Sequence, residues 1–209
     1  MLHIPTLTKD YGQRTILQLA DFSLTDGIYW IKGENGAGKT TLFRCLAGML
    51  PFAGDIWLDE KFHPKKHAQG YRLRINYGEA EPLFPNFLTG EDLMALVAEA
   101  KQAPTDQLGQ LCDALGISDY RYQKVATYSS GMLKKISLAM ALLGNPRWIL
   151  LDEPLITLDP ETQATLLSLI ASRRESGTCF VMSSHQAWDE DLLPIDGAFH
   201  LANQTLQVL

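Results

Sequence analysis

The residues Gly33, Glu34, Asn35, Gly36, Ala37, Gly38, Lys39 and Thr40 run consecutively, and Thr41 follows. Gly33, Gly38, Lys39 and Thr40 meet the spacing G-x-x-x-x-G-K-[ST], with Gly36 as an extra glycine inside the loop. Glycines let such a chain curl so that successive backbone N–H groups converge on phosphate oxygens with no Cβ in the way. Lys39 brings a point charge for β and γ phosphates, and the Thr40 hydroxyl is a hard oxygen donor for Mg²⁺. Ile28 to Ile31 read as a strand entering the loop, and Thr41 to Ala47 as a helix leaving it. The helix N-terminus adds partial positive charge to the same anion site. The expected ligand is a nucleoside triphosphate with magnesium, held by residues 33–41.

Two further apolar stretches end in polar groups, where an open parallel sheet presents its ligand-binding side chains. Ile149, Leu150 and Leu151 lead to Asp152 and Glu153. Asp152 suits magnesium, and Glu153 suits the polarisation of an attacking water. Cys179 to Met182 lead through Ser183 and Ser184 to His185, a candidate catalytic histidine at a strand end. Between them, Ser129, Ser130 and Gly131 stand immediately before a helix. Either serine can cap that helix, and the same geometry makes a second anion site. One nucleotide cannot use two helix N-termini so far apart in sequence without a special fold or a second subunit.

The elements that must position these groups follow from patterning. Strands are expected at Leu2 to Leu7, Leu17 to Leu24, Ile28 to Lys32, Asp55 to Leu58, Trp148 to Leu151 and Thr178 to Met182. Thr89 with Asp92 forms a capping box opening a helix whose face carries Leu93, Leu96, Val97 and Ala100. Further helices are expected from Thr105 to Gly116, from Met132 towards Leu143, and from Pro160 to Arg173. Near-continuous apolar strands separated by helices mark an α/β protein whose parallel sheet is covered on both faces. The helical stretch of about 87–126 interrupts that pattern as a small subdomain.

At 209 residues the chain suits one α/β domain with a small insertion. Its net charge of −6 argues against a general nucleic-acid binder, which needs a basic face. The densest basic stretch, Lys61 to Arg74, reads as a solvated loop. Cys45, Cys112 and Cys179 lack metal or redox spacing and read as buried thiols of a reducing compartment. The N-terminus has no signal-peptide pattern, and no apolar run approaches a membrane span, so a membrane role requires a partner.

Taken together, these motifs resemble the ATP-binding subunit of ABC transporters over essentially the whole chain. Gly33 to Thr40 match Walker A, and Tyr128 to Met132 match the signature usually written LSGGQ. Asp152, Glu153 and Pro154 match Walker B with its glutamate, Leu158 to Pro160 match the D-loop, and His185 matches the switch histidine. Lys9 to Gly12 resemble the aromatic A-loop, which places Tyr11 over the adenine as a stacking surface. The resemblance implies a P-loop NTPase: a RecA-like, mostly parallel sheet core with an antiparallel β-subdomain over 1–86 and 127–209, and a helical subdomain over 87–126. It implies ATP and Mg²⁺, with Thr40, Asp152 and Glu79 at the metal and Lys39, Glu153 and His185 in catalysis. It also implies a head-to-tail homo- or heterodimer in which Ser129, Ser130 and Gly131 face the partner's nucleotide. The implied role is to drive a separate membrane permease, with the exporter branch favoured by the form of the signature, from the inner face of the cell membrane in the cytoplasm. Leu83, Phe84, Pro85 and Phe87 are candidates for the permease contact. Three departures stand out: Glu79, with Glu81 as the alternative, where the family has glutamine, Met132 in the signature, and Ile156 with Thr157 before the D-loop. An ABC ATPase acting on nucleic acid or ribosomes is the alternative reading, and a GTPase is disfavoured by the missing N-K-x-D motif.

Overall fold

The computed structural model describes residues 1–185, 188–189 and 191–209. The chain opens with a hairpin, β1 (Leu2–Tyr11) and β2 (Arg14–Leu24), then β3 (Ile28–Lys32), α1 (Lys39–Leu46) and β4 (Ala53–Leu58). Next come α2 (Ala68–Arg74), β5 (Ile75–Gly78), α3 (Gly90–Ala100), α4 (Gln107–Ala114), a 3-10 turn (Val125–Thr127) and α5 (Ser130–Leu142). The chain closes with β6 (Trp148–Asp152), α6 (Pro160–Glu175), β7 (Cys179–Ser184), β8 (Gly197–Ala202) and β9 (Thr205–Val208).

The strands form two sheets. One is three-stranded and antiparallel, in the order β2-β1-β4. The other runs β5-β6-β7-β3-β8-β9, parallel except where β8 meets β9. A mostly parallel central sheet was expected, and it stands in the middle of three layers. The alternation along its strands shows why those strands are apolar throughout. Trp148, Leu150, Cys179, Val181, Tyr29 and Ile31 face a core shared with α1 and the antiparallel sheet. Ile149, Leu151, Phe180, Met182, Ile28 and Trp30 face the opposite core, shared with α3 to α6. Strands buried on both faces leave few polar positions before the sheet edge, Asn76 of β5 being one that is satisfied by two backbone carbonyls, and the edge is where the chemistry sits.

Some local readings hold and others shift. Thr89 caps α3, accepting from the Asp92 N–H at 3.1 Å while its own N–H donates to Asp92 Oδ2 at 2.9 Å. α4 lies with α3 inside 87–126, and Leu93, Met94, Leu111 and Cys112 join the core that also holds Ile136 of α5. The stretch Lys61 to Arg74 is corrected: it is not all loop. Its last turns form α2, fixed by Tyr71, which is fully buried and donates to the Leu46 carbonyl at 2.5 Å. The basic side chains still face outward, and Lys61, Lys65, Lys66 and Arg74 lie over aromatic rings. Arg74 lies 3.7 Å from the Phe62 centroid and Lys65 lies 4.6 Å from that of Phe52. All three cysteines are free and buried.

Candidate nucleotide site

Three segments meet at the carboxyl edge of the central sheet: the loop between β3 and α1, the end of β6 and the end of β7. The loop needs its glycines for stated reasons. Gly36 and Gly38 sit at φ 82° and 105°, in the left-handed region. A Cβ on Gly38 would also stand 3.1 Å from Ile16 Cγ2, and one on Gly33 3.0 Å from the Leu201 carbonyl oxygen. Substitution at these points distorts the cradle or the strands behind it.

Parallel pairing puts Asp152 of β6 beside Ser183 of β7. Asp152 is fully buried, and its carboxylate accepts from the Ser183 hydroxyl at 2.5 Å and from the Thr40 hydroxyl at 2.6 Å. Tyr77 adds a longer donor at 3.4 Å, and burial raises the pKa of its hydroxyl, which keeps the donor protonated. A hydroxyl and a carboxylate side by side are the hard oxygen pair that magnesium takes from a protein when phosphates and water supply the rest. Thr40 and Asp152 therefore fit the metal. Among the described residues no group of three or more histidine, cysteine or acidic side chains is placed to hold a metal ion.

Glu153 follows on a strained backbone, with φ 47° although it is not glycine. The side chain is 9% exposed, with Oε1 3.5 Å from Lys39 Nζ. His185 Nδ1 stands 3.3 Å from each carboxylate oxygen and is hydrogen-bonded to Oε1. Among the described residues Oε2 is buried without a hydrogen bond, so it is an acceptor without a donor there. Lys39 itself donates to the Gly33 carbonyl at 2.7 Å and the Glu34 carbonyl at 3.2 Å. These carbonyls satisfy the ammonium within its own loop until an anion draws it away.

The cleft over this cluster has a volume of about 710 Å³ and is lined by Tyr11, Asn35, Gly36, Gly38, Thr41 and Glu79 in addition to the groups above. Tyr11 is 51% exposed at the end of β1, with the Lys9 ammonium 4.7 Å from its ring centre. Glu79 faces the cleft, but its carboxylate pairs with Arg44 at 3.6 Å. Ser129, Ser130 and Gly131 are not brought to this cleft. Ser129 and Ser130 are exposed, and Ser129 caps α5 by accepting from Met132 N–H at 3.2 Å. Met132 answers through its sulfur, 3.5 Å from the Ser129 nitrogen, so a thioether completes the cap where the family has an amide. Gly131 is held tight by Thr157, whose carbonyl would lie 3.0 Å from any added Cβ.

Sequence reading missed Ser183, Arg44, Tyr77 and Lys134. Ser183 had a signal: aligning the two strands at their apolar-to-polar switch places it opposite Asp152. Lys134 had none, because a lysine one turn into a helix reads as surface. It is 1% exposed, and burial lowers its pKa to about 8 against the opposing pull of the Asp152, Glu153 and Glu79 carboxylates.

The family model for ABC transporters matches residues 12–156, which contain the loop, the cap of α5, Asp152 and Glu153. The chain belongs to the ABC transporter family. YhcH, an uncharacterized ABC transporter ATP-binding protein of Bacillus subtilis (strain 168), is 30% identical over 200 residues, covering 92% of this chain. The chain spans only 64% of the length of YhcH. The lantibiotic transport ATP-binding protein SrtF of Streptococcus pyogenes is 30% identical over 187 residues, covering 88% of this chain and 80% of SrtF. Among solved structures, the dimeric post-hydrolysis ATP-binding cassette MJ0796, bound to ADP and Pi, superposes with a TM-score of 0.81. That match is 18% identical and covers 99% of this chain and 97% of the other, which shows the shared fold. As a nucleotide-binding subunit of this family, the chain has the P-loop NTPase architecture that its motifs imply.

Proposed function

We propose that this ABC nucleotide-binding subunit hydrolyses ATP as half of a head-to-tail pair and drives a separate membrane permease, as an exporter. One observation carries the reading. Thr40, Asp152, Glu153, Lys39 and His185 converge within hydrogen-bonding or ion-pairing reach, while the exposed Ser129 end of α5 lines no part of their cleft among the described residues. In this reading the second anion site serves the nucleotide of a partner chain. The dimeric state of the similar MJ0796 cassette supports the pairing.

In this reading the 33–41 loop cradles the phosphates, and Lys39 exchanges its two carbonyl acceptors for phosphate oxygens. Tyr11 stacks on the base. Thr40 and Asp152 hold magnesium, with Glu79 nearby, and the ion would supply charge neutralisation at the β and γ phosphate oxygens. Glu153 accepts the proton of the attacking water at its unpaired Oε2. His185, with Nδ1 3.3 Å from both oxygens, fixes the carboxylate. Ser129, Ser130 and Gly131 of the partner chain close over the γ-phosphate, and ATP, bound more tightly by the closed pair, shifts the population towards it.

No helix of the described residues is long and apolar enough to cross a membrane. In this reading translocation belongs to a permease. Leu83 and Phe87 are 91% and 74% exposed, whereas Phe84 packs on the core. A groove of about 640 Å³, lined by Met49, Leu73, Val97 and Met140, runs between the core and the 87–126 helical subdomain. Leu83, at the rim of the nucleotide cleft, and Phe87 present exposed apolar side chains that fit contact with a permease segment, and the groove is a second apolar surface for one. The name of SrtF, a lantibiotic transport protein, and the Y-S-x-G-M signature favour export. The test is purification from source membranes after mild crosslinking. Recovery of a multi-span membrane protein supports transport, and ATPase stimulation by RNA, DNA or ribosomes with no such partner overturns it.

A further inference from the structure

Lys134 is among the largest fully buried side chains, yet no carboxylate lies within ion-pairing distance of it among the described residues. Its ammonium has three protons, and it makes three contacts to backbone carbonyls. They are Asp152 at 2.8 Å, Glu79 at 2.9 Å and Ala80 at 3.4 Å. One turn further along α5, the Ser137 hydroxyl accepts from the Glu79 N–H at 3.0 Å. Helix α5 thus grips the Glu79 residue by both its N–H and its carbonyl, and grips the end of β6 as well. A buried lysine without a counter-ion is a costly way to fill space, and methionine would occupy the same volume without the desolvation penalty. All three acceptors belong to segments that line the nucleotide cleft.

The other end of this helix is Ser129, which in the head-to-tail reading faces the nucleotide of the partner chain. Each α5 then belongs to two sites, its own through Lys134 and its partner's through Ser129. Resting on that reading, we propose that Lys134 is a positioning residue that couples the two sites of the pair. It ties the Ser129 end of α5 to the Asp152 and Glu79 wall of its own cleft, so closure at one nucleotide is transmitted to the carboxylate geometry at the other.

The test compares the parent with Lys134→Met, which keeps length and loses the donor, and Lys134→Arg, which keeps a donor. ATP hydrolysis is measured against ATP concentration, alongside binding of a fluorescent ATP analogue. The parent is expected to show a Hill coefficient between about 1.5 and 2, since two sites set the ceiling. Lys134→Met should lower kcat by about 10- to 100-fold and bring the coefficient to about 1, while analogue affinity moves by less than about threefold. Lys134→Arg should restore cooperativity. If the methionine variant does not fold, Lys134→Gln takes its place with the same expectation. A parent that pairs and cooperates, beside a variant that cooperates equally well, overturns the coupling alone. A parent that neither pairs with ATP nor cooperates overturns the head-to-tail reading and the coupling with it.

Discussion

The replacement Ser183→Ala isolates one support of Asp152, the carboxylate proposed to hold magnesium. Ser183 is fully buried, and its hydroxyl donates to Asp152 Oδ1 at 2.5 Å. The same hydroxyl also accepts from the Glu153 N–H at 3.3 Å, but that N–H has a second acceptor, the Ser183 carbonyl at 3.2 Å. Alanine keeps the backbone and nearly the whole volume, so the change removes one charge-assisted hydrogen bond and little else. Such a bond contributes roughly 1.5–3 kcal/mol, equivalent to about 10- to 150-fold in an equilibrium constant. Oδ2 keeps its Thr40 and Tyr77 donors, so Asp152 stays in place but is less firmly oriented. The magnesium concentration giving half-maximal ATP hydrolysis should rise by about 10- to 100-fold, the usual consequence of losing a ligand's supporting hydrogen bond. Urea unfolding without nucleotide should show a loss within about 1.5–3 kcal/mol. A magnesium midpoint within about twofold of the parent in a variant that folds would refute the role assigned to Ser183.

Lys39→Ala should abolish measurable binding of a fluorescent ATP analogue in a chain that still melts cooperatively, since the lysine's partners are two carbonyls of its own loop and the Glu153 carboxylate at 3.5 Å. Asp159 caps α6, and the N–H and hydroxyl of Thr162 hold its pKa down to about 2, below the unfolded value of about 3.9. Its stabilisation is therefore complete above about pH 4 and lost as the pH falls towards about 2, so the melting gap between the parent and Asp159→Ala should be widest at neutral pH and close over that window. A gap that persists at about pH 2 would show that the carboxylate charge is not what caps the helix. Burial raises the Cys45 thiol to about 11 and raises Cys112 and Cys179 as well, so a thiol reagent at about pH 8 should label no cysteine until urea unfolds the chain. Native labelling would contradict the burial.

The site was legible where chemistry restricts residue type, and the fold was legible where burial restricts polarity. Gly38 and Gly36 announce themselves because their backbone angles exclude other residues, and Trp148 to Leu151 because both faces of the sheet are covered. The C-terminal hairpin β8–β9 was not read. Its turn is Asn203 and Gln204, both at positive φ, and glutamine occupies a position where glycine gives the usual hairpin signal. Helix α2 was hidden by charge, since Arg72 and Arg74 look solvated while Tyr71 just before them is the buried anchor. Ser183 and Lys134 act through contacts that cross more than 15 residues of sequence, Ser183 to Asp152 and Lys134 to Asp152, and no local pattern marks such pairs. Arg44 reaches Glu79 in the same way, and that ion pair gives the unexpected carboxylate a local counter-charge.

The central claim is that Glu153 is the base of a site completed by a second chain. Its most direct test is the solution mass of Glu153→Gln with ATP and magnesium, followed by light scattering while hydrolysis is monitored. The amide keeps the size of the side chain but cannot take a proton, so hydrolysis should slow by about 10²- to 10⁴-fold with ATP still bound. The chain should then run at the mass of two copies, or of a mixed pair if its natural partner is a different subunit supplied alongside it. A variant that hydrolyses ATP like the parent, or that holds ATP yet remains a single chain with every partner subunit offered, would contradict the account.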